Sequence, residues 1–88
     1  MNILILGDIC GISGMKAIKS NLKKIIKENN IDFTVVNGEN AADNGKGITK
    51  KNVEDIINSG ADVITSGNHI WDQKEILEVI SNSNRVIR

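Results

Sequence analysis

Three glycine-led motifs hold the residues of this sequence that could do chemistry. They are GD at residues 7–8, GEN at 38–40 and GNH at 67–69, and each follows a short apolar run of β-strand type. Their spacing is about that of one strand plus one helix. Together they would supply two carboxylates, two amides and one imidazole, which can bind a metal ion or move a proton.

The apolar runs predict how these motifs meet. A strand with one solvent-exposed face alternates apolar and polar residues, and none of the three runs does so throughout: NILIL, DFTVV and ADVIT. They therefore predict buried parallel strands covered by helices on both faces. Residues just past the carboxyl ends of such strands lie on one edge of the sheet, and neighbouring strands are about 4.8 Å apart. We therefore expect the three motifs to converge within roughly 10 Å.

The stretches between the strands have helical spacing. In the first, an apolar stripe lies opposite a side that carries most of the lysines; the stripe holds Met15, Ile18, Leu22, Ile25 and Ile26, and the lysines are Lys16, Lys19, Lys23 and Lys27. The second is predicted to begin after an N-cap at Thr49, with an Ile48–Val53 staple, and to end at Gly60.

A third helix is predicted to begin after Asp72, with Glu75 in a capping-box position and Trp71 packing on Ile76. The tryptophan is thus interpreted mainly as a packing residue that fixes the loop of the neighbouring His69. The order of elements predicts an α/β fold, βαβαβα, with a three-stranded parallel sheet, flanking helices and right-handed crossovers.

Clustered carboxylates require a cation, because they repel and raise the pKa of one another. Oxygen ligands without thiolates suit Mn²⁺, Mg²⁺ or Fe²⁺, and an imidazole extends the range to Zn²⁺. Glu39 could bridge two such ions, which leaves His69 to act as a proton donor. Each motif alone is common in turns and caps, so the interpretation depends on all three recurring at strand ends.

Composition narrows the classes of partner. With 11 basic and 11 acidic residues in 88, the formal net charge is +0, which gives no reason to expect a polyanionic or membrane-surface partner. The apolar runs are too short to span a bilayer, and nothing resembles a signal peptide. One cysteine cannot build a disulfide framework, so a cytoplasmic location is expected.

The segments GDICG, NGENAADNGKG and SGADVITSGNHIWD resemble the calcineurin-like metallophosphoesterases, and more narrowly the YmdB-type branch described as 2′,3′-cyclic-nucleotide phosphodiesterases. The resemblance implies two divalent metal ions, Mn²⁺ or Fe²⁺ ahead of Mg²⁺ or Zn²⁺. It implies that Asp8 binds one ion, that Glu39 bridges both, that Asn40 and Asn68 add ligands, and that His69 is the catalytic acid. A small phosphodiester or cyclic nucleotide would be the substrate.

Two departures from the wider superfamily stand out. Cys10 occupies the position of a frequent histidine, which the YmdB-type branch also lacks. We predict that it is a small buried hydrophobe, with a role as a ligand as the alternative. The family's chain is about three times longer, and its later part supplies further histidine ligands. The ending RVIR is typical of a fourth strand, so residues 1–88 are interpreted as the N-terminal portion of a larger domain, incomplete for catalysis alone.

Other functions stay open on the sequence alone. A non-catalytic nucleotide- or phosphate-binding α/β module and an inactive fragment are the main alternatives. The glycines fit neither a dinucleotide fingerprint nor a P-loop, although Lys46 could touch a phosphate. The lysines of the first helix leave RNA a weakly supported partner, and an unpaired sheet edge leaves homo-oligomers open.

Overall fold

The computed structural model describes residues 1–45, 47–66 and 85–87. Two helices and four strands lie in these ranges: β1 Ile3–Leu6, α1 Gly11–Glu28, β2 Phe33–Asn37, α2 Lys50–Asn58, β3 Val63–Thr65 and β4 Val86–Ile87. The predicted third helix, with its cap at Asp72 and its staple at Trp71, lies outside the described residues.

The strands form one parallel sheet in the order β1-β2-β3-β4. The predicted α/β class and the parallel sheet are therefore confirmed. The sheet also contains the fourth strand that the ending RVIR predicted, and Val86 of β4 lies opposite Ile64 of β3.

The buried core lies between the sheet and the two helices. Val36, Ile64 and Val86 on the sheet pack in one cluster with side chains of both helices, namely Met15, Ile18, Leu22, Val53 and Ile56. The three α1 residues belong to the stripe that helical spacing predicted. Two half-buried leucines of β1, Leu4 and Leu6, extend this face to the sheet edge.

The other face of the sheet is open in the described part of the chain. Ile3, Ile5 and Ile87 are 55%, 73% and 53% exposed, and Phe33 is 38% exposed. The prediction of helices on both faces is thus wrong for the two helices described. The reason is topological, because strands added in chain order through right-handed crossovers place successive helices on the same side.

Local signals set both ends of α2. Thr49 is the N-cap and forms a capping box with Asn52: its hydroxyl accepts from the Asn52 backbone N–H at 3.1 Å, and the Asn52 side chain accepts from the Thr49 N–H at 2.9 Å. Past the helix, Gly60 has a φ of 123°, a conformation that favours glycine. The cap at Thr49 and the stop at Gly60 agree with the sequence prediction.

Asp55 of α2 ties the two helices together. Its Oδ2 lies 3.1 Å from Nζ of Lys19 on α1 and 3.5 Å from Nζ of Lys51 on α2. Burial alone would raise the pKa of Asp55, but the hydrogen bond and charge of Lys19, with those of Lys51, hold it below its usual value.

A carboxylate with a lowered pKa in the folded state stabilises the protein above its unfolded-state pKa, and this stabilisation is lost as the pH falls through the folded-state pKa. We expect Asp55→Asn to lower the free energy of unfolding by about 0.5 kcal/mol at pH 7, the scale of a partly exposed ion pair. The difference from the parent should shrink towards pH 3. Urea unfolding of both proteins between pH 2 and 7 measures it, and a pH-independent difference would contradict this account.

Within the described residues, no helix combines the length and hydropathy needed to cross a bilayer.

Candidate active site

The chain segments that leave β1 and β2 stay side by side beyond the strands. The N–H of Ile9 donates to the carbonyl of Asn37 at 3.1 Å, and the N–H of Gly11 donates to the carbonyl of Asn40 at 2.9 Å. Cys10 forms a parallel bridge with Asn40, which continues the register of the strands. The first two motifs therefore meet at the carboxyl edge of the sheet, as the sequence predicted.

Asp8 lies in this segment with an unusual backbone. It is exposed, and its φ is 26°, a value that residues other than glycine rarely adopt. Its carboxylate makes no hydrogen bond or ion pair with the residues that the structure describes. A carboxylate presented in a rare conformation without a protein partner is a candidate ligand for an ion.

Glu39 and Asn40 lie in a turn that two backbone hydrogen bonds hold in place. The N–H of Gly38 donates to the carbonyl of Thr65 on β3 at 2.9 Å, and the N–H of Ala41 donates back to the carbonyl of Gly38 at 3.1 Å. Both Glu39 and Asn40 are half-buried. The turn thus lies between the ends of β1 and β3 and holds its polar residues at the same edge as Asp8.

Asn37 contributes to this turn, and sequence reasoning missed it. Its side-chain Oδ1 accepts the backbone N–H of Glu39 at 3.2 Å. An asparagine that bonds the backbone two residues ahead is a common turn device, so the string NGEN contains the signal. The bond fixes the direction of the chain at Glu39.

The glycine of the GEN motif has a packing role. A Cβ at Gly38 would lie 2.9 Å from Cδ1 of Ile48 and 3.1 Å from Cγ2 of Ile64, both in the core. At Gly7, by contrast, an added Cβ would meet nothing within 4 Å. Gly38 therefore allows the turn to sit directly on buried side chains.

We expect Gly38→Ala to lower the free energy of unfolding by about 1–3 kcal/mol, because the new methyl group overpacks the core. Gly7→Ala is the matched control and should change it by less than about 0.5 kcal/mol. Urea denaturation followed by circular dichroism measures both. Equal effects of the two substitutions would show that the close approach at Gly38 does not matter for stability.

Cys10 is exposed, so the prediction of a small buried hydrophobe is wrong. It occupies the N-cap position of α1, and its side chain makes no capping hydrogen bond. The backbone pairing with Asn40 holds the residue at the rim of the fold instead of in the core.

The structure places three of the five predicted site residues, Asp8, Glu39 and Asn40, in adjacent segments at one edge of the sheet. Asn68, His69 and Lys46 lie outside the described residues, so the GNH motif and the loop lysine stay predictions. Among residues 1–45, 47–66 and 85–87, no group of three or more His, Cys, Asp or Glu side chains is arranged to hold a metal ion. The described edge thus supplies two carboxylates and one amide.

A family model described as YmdB-like protein matches residues 4–88, nearly the whole chain. The chain belongs to the YmdB-like family. One similar protein is the 2′,3′-cyclic-nucleotide 2′-phosphodiesterase of Bacillus subtilis (strain 168), which is 44% identical over 88 residues. That match covers 100% of this chain and 33% of the relative, so the chain spans about a third of the relative's length.

Two solved structures resemble this YmdB-like chain closely. A hypothetical protein from Thermus thermophilus superposes with a TM-score of 0.90 at 34% identity, over 100% of this chain and 33% of that one. A structure described as a novel phosphatase from Mycoplasma pneumoniae gives 0.89 at 37% identity, over 98% of this chain and 30% of that one. Both likenesses agree with the family and the α/β fold.

Proposed function

We propose that this chain carries part of the active site of a metal-dependent phosphodiesterase that hydrolyses phosphodiesters such as 2′,3′-cyclic nucleotides. The observation that carries the proposal is the continued pairing of the segments after β1 and β2, which sets Asp8 beside the turn of Glu39 and Asn40. The name of the B. subtilis relative supports the reaction, and the phosphatase name of the M. pneumoniae structure agrees with it.

The proposed metal ligands are Asp8, Glu39, Asn40 and Asn68. Carboxylate and amide oxygens fit two hard divalent ions, Mn²⁺ or Fe²⁺ first and Mg²⁺ or Zn²⁺ next. The exposed Asp8 carboxylate, which has no partner in the described part of the chain, fits this role. When bound, the ions would neutralise the carboxylates and polarise the phosphoryl oxygens of the substrate.

The residues of the chain itself have distinct proposed tasks. Asn37 fixes the Glu39 backbone through the bond at 3.2 Å, and Gly38 lets the turn that carries Glu39 rest on the core. His69 donates a proton to the ribose oxygen that leaves phosphorus. A group that donates a proton at this step must be protonated before it, so activity should fall as His69 loses its proton.

A chimera provides the test, because the chain spans a third of its relative. The chimeric protein, hereafter the chimera, is the B. subtilis phosphodiesterase in which residues 1–88 of this chain replace the matched third. We expect the chimera to hydrolyse 2′,3′-cyclic AMP with Mn²⁺ and to lose the activity in a chelator. Glu39→Gln should lower kcat/KM by at least about 100-fold, the scale on which metal sites respond to changes around their ligands.

Glu54→Gln is the matched control, since it makes the same chemical change on the exposed surface of α2. It should leave kcat/KM within about twofold. A folded chimera without metal-dependent hydrolysis would contradict the proposal. If such a chimera bound the nucleotide without cleaving it, the non-catalytic binding module would be favoured instead.

A further inference from the structure

A cavity of about 430 Å³ opens between α1, α2 and the turn at residues 42–44. This volume lies within the range of about 300–1,000 Å³ that is usual for small-molecule sites. Asp8, Glu39 and Asn40 are not among the residues that line it, so the cavity is separate from the three proposed metal ligands that the structure describes.

The floor of the cavity is apolar. It includes Met15 and Ala42, which are 5% and 2% exposed. Ile12, in the first turn of α1, also lines the cavity and is 58% exposed. This isoleucine offers an apolar surface that faces water and could be covered by an apolar group of a ligand.

The rim of the cavity carries more positive than negative charge. Three lysines and two aspartates line it: Lys16, Lys19, Lys51, Asp43 and Asp55. The carboxylate of Asp55 forms ion pairs with the ammonium groups of both Lys19 and Lys51, at 3.1 Å and 3.5 Å. That cluster therefore keeps an excess of one positive charge.

Lys16 adds to this excess. It lies one helical turn before Lys19 on the same side of α1, and it forms no ion pair with any residue in the described part of the chain. Asp43 also lines the cavity and offsets one charge. The described residues that line the cavity thus have a net charge of about +1 above an apolar floor, from the residue charges at neutral pH.

We propose that this cavity binds a small organic anion with an apolar group, of the phosphate-monoester class. The apolar group covers Ile12 and Met15, and the anionic group lies beside Lys16 and the Lys19–Lys51 pair. An apolar floor with charged and polar groups around it suits a ligand that has both an apolar and an anionic part. This inference goes beyond the proposed phosphodiesterase reaction and does not depend on it.

Titration of the isotope-labelled 88-residue chain, followed by ¹H–¹⁵N NMR in a chelator, tests the proposal without any contribution from metal ions. Phenyl phosphate is the probe, and inorganic phosphate and phenol are its anionic and apolar halves. We expect phenyl phosphate to shift the amide signals of residues around the cavity. Inorganic phosphate and phenol should each bind at least about fivefold more weakly than phenyl phosphate, the factor that corresponds to roughly 1 kcal/mol.

Three variants locate the binding. Lys16→Ala should weaken phenyl phosphate about fivefold, the effect of losing one unit charge near 4 Å in water. Lys27→Ala removes the same charge from the same helix, roughly 16 Å further along its axis, and should have no effect because solvent ions screen it at that distance. Asp43→Asn should strengthen binding, since it removes a repelling carboxylate.

Several results would overturn the proposal. They are shifts confined to residues outside the cavity, equal weakening by Lys16→Ala and Lys27→Ala, or no response to Asp43→Asn. Equal affinity for inorganic phosphate and phenyl phosphate would show that the apolar floor plays no part, which would also reject it.

Discussion

Ile64→Ala is expected to lower the free energy of unfolding by about 2–5 kcal/mol, because it removes a side chain from a packed core and leaves a cavity. Ile64 is 0% exposed and lies at the centre of the sheet face that the helices cover. Small domains are stable by only about 5–15 kcal/mol, so the substitution would remove a large share of the total. Urea unfolding monitored by circular dichroism measures the change.

Ile5→Ala is the matched control for this prediction. Ile5 lies on the open face of β1 and is 73% exposed, so the same chemical change removes little buried surface. We expect it to change the free energy of unfolding by less than about 0.5 kcal/mol. A similar loss for both isoleucines would mean that the second face is as buried as the first, contrary to the described structure.

His69→Ala is expected to lower kcat for 2′,3′-cyclic AMP in the chimera by about 10²–10⁴-fold, the usual contribution of a general acid. The reason is that an alkoxide leaving group needs a proton as its bond to phosphorus breaks. Bis(p-nitrophenyl) phosphate is the matched substrate, since p-nitrophenolate leaves without one. Turnover of this substrate by the His69→Ala chimera should fall far less.

The comparison of the two substrates separates the proposed role from others. If His69 were a metal ligand instead, its replacement would lower the turnover of both substrates together. Equal losses on the two substrates, or unchanged turnover of 2′,3′-cyclic AMP, would contradict the assignment of His69 as the acid.

Much of the fold could be read from local patterns. Continuous apolar runs that end near a glycine predicted β1, β2 and β3, because such runs suit buried parallel strands. The polar Asn37 still belongs to β2, since it pairs with Thr65 of β3 and tertiary pairing decides its conformation. The N-cap at Thr49 was predicted but its capping box was not, because Asn52 takes the place of the usual Glu or Gln.

The open face could not be inferred from the apolar runs. Ile3 and Ile5 have the same chemistry as Leu4 and Leu6, and nothing local distinguishes the face that receives the helices. The order β1-β2-β3-β4 decides it, and strand order is a property of the whole chain. Cys10 was misjudged for a similar reason, since its type favours burial while its place at the start of α1 exposes it.

The candidate site was predictable to the extent that topology follows from the strands. Parallel order placed the residues after β1 and β2 on one edge, and the pairing of Cys10 with Asn40 agrees with that prediction. The turn geometry was not predictable in detail. The left-handed φ of Asp8 and the bond from the Glu39 N–H to Asn37 depend on how the two segments fit against each other.

The proposed role of Asp8 and Glu39 as metal ligands is the central claim, and calorimetric titration of the chimera with Mn²⁺ tests it most directly. We expect Mn²⁺ binding that weakens at least about 100-fold in the Asp8→Asn, Glu39→Gln double variant, while Glu54→Gln binds as the parent does. A folded double variant with unchanged Mn²⁺ affinity, or a folded parent chimera that binds no Mn²⁺, would contradict the account.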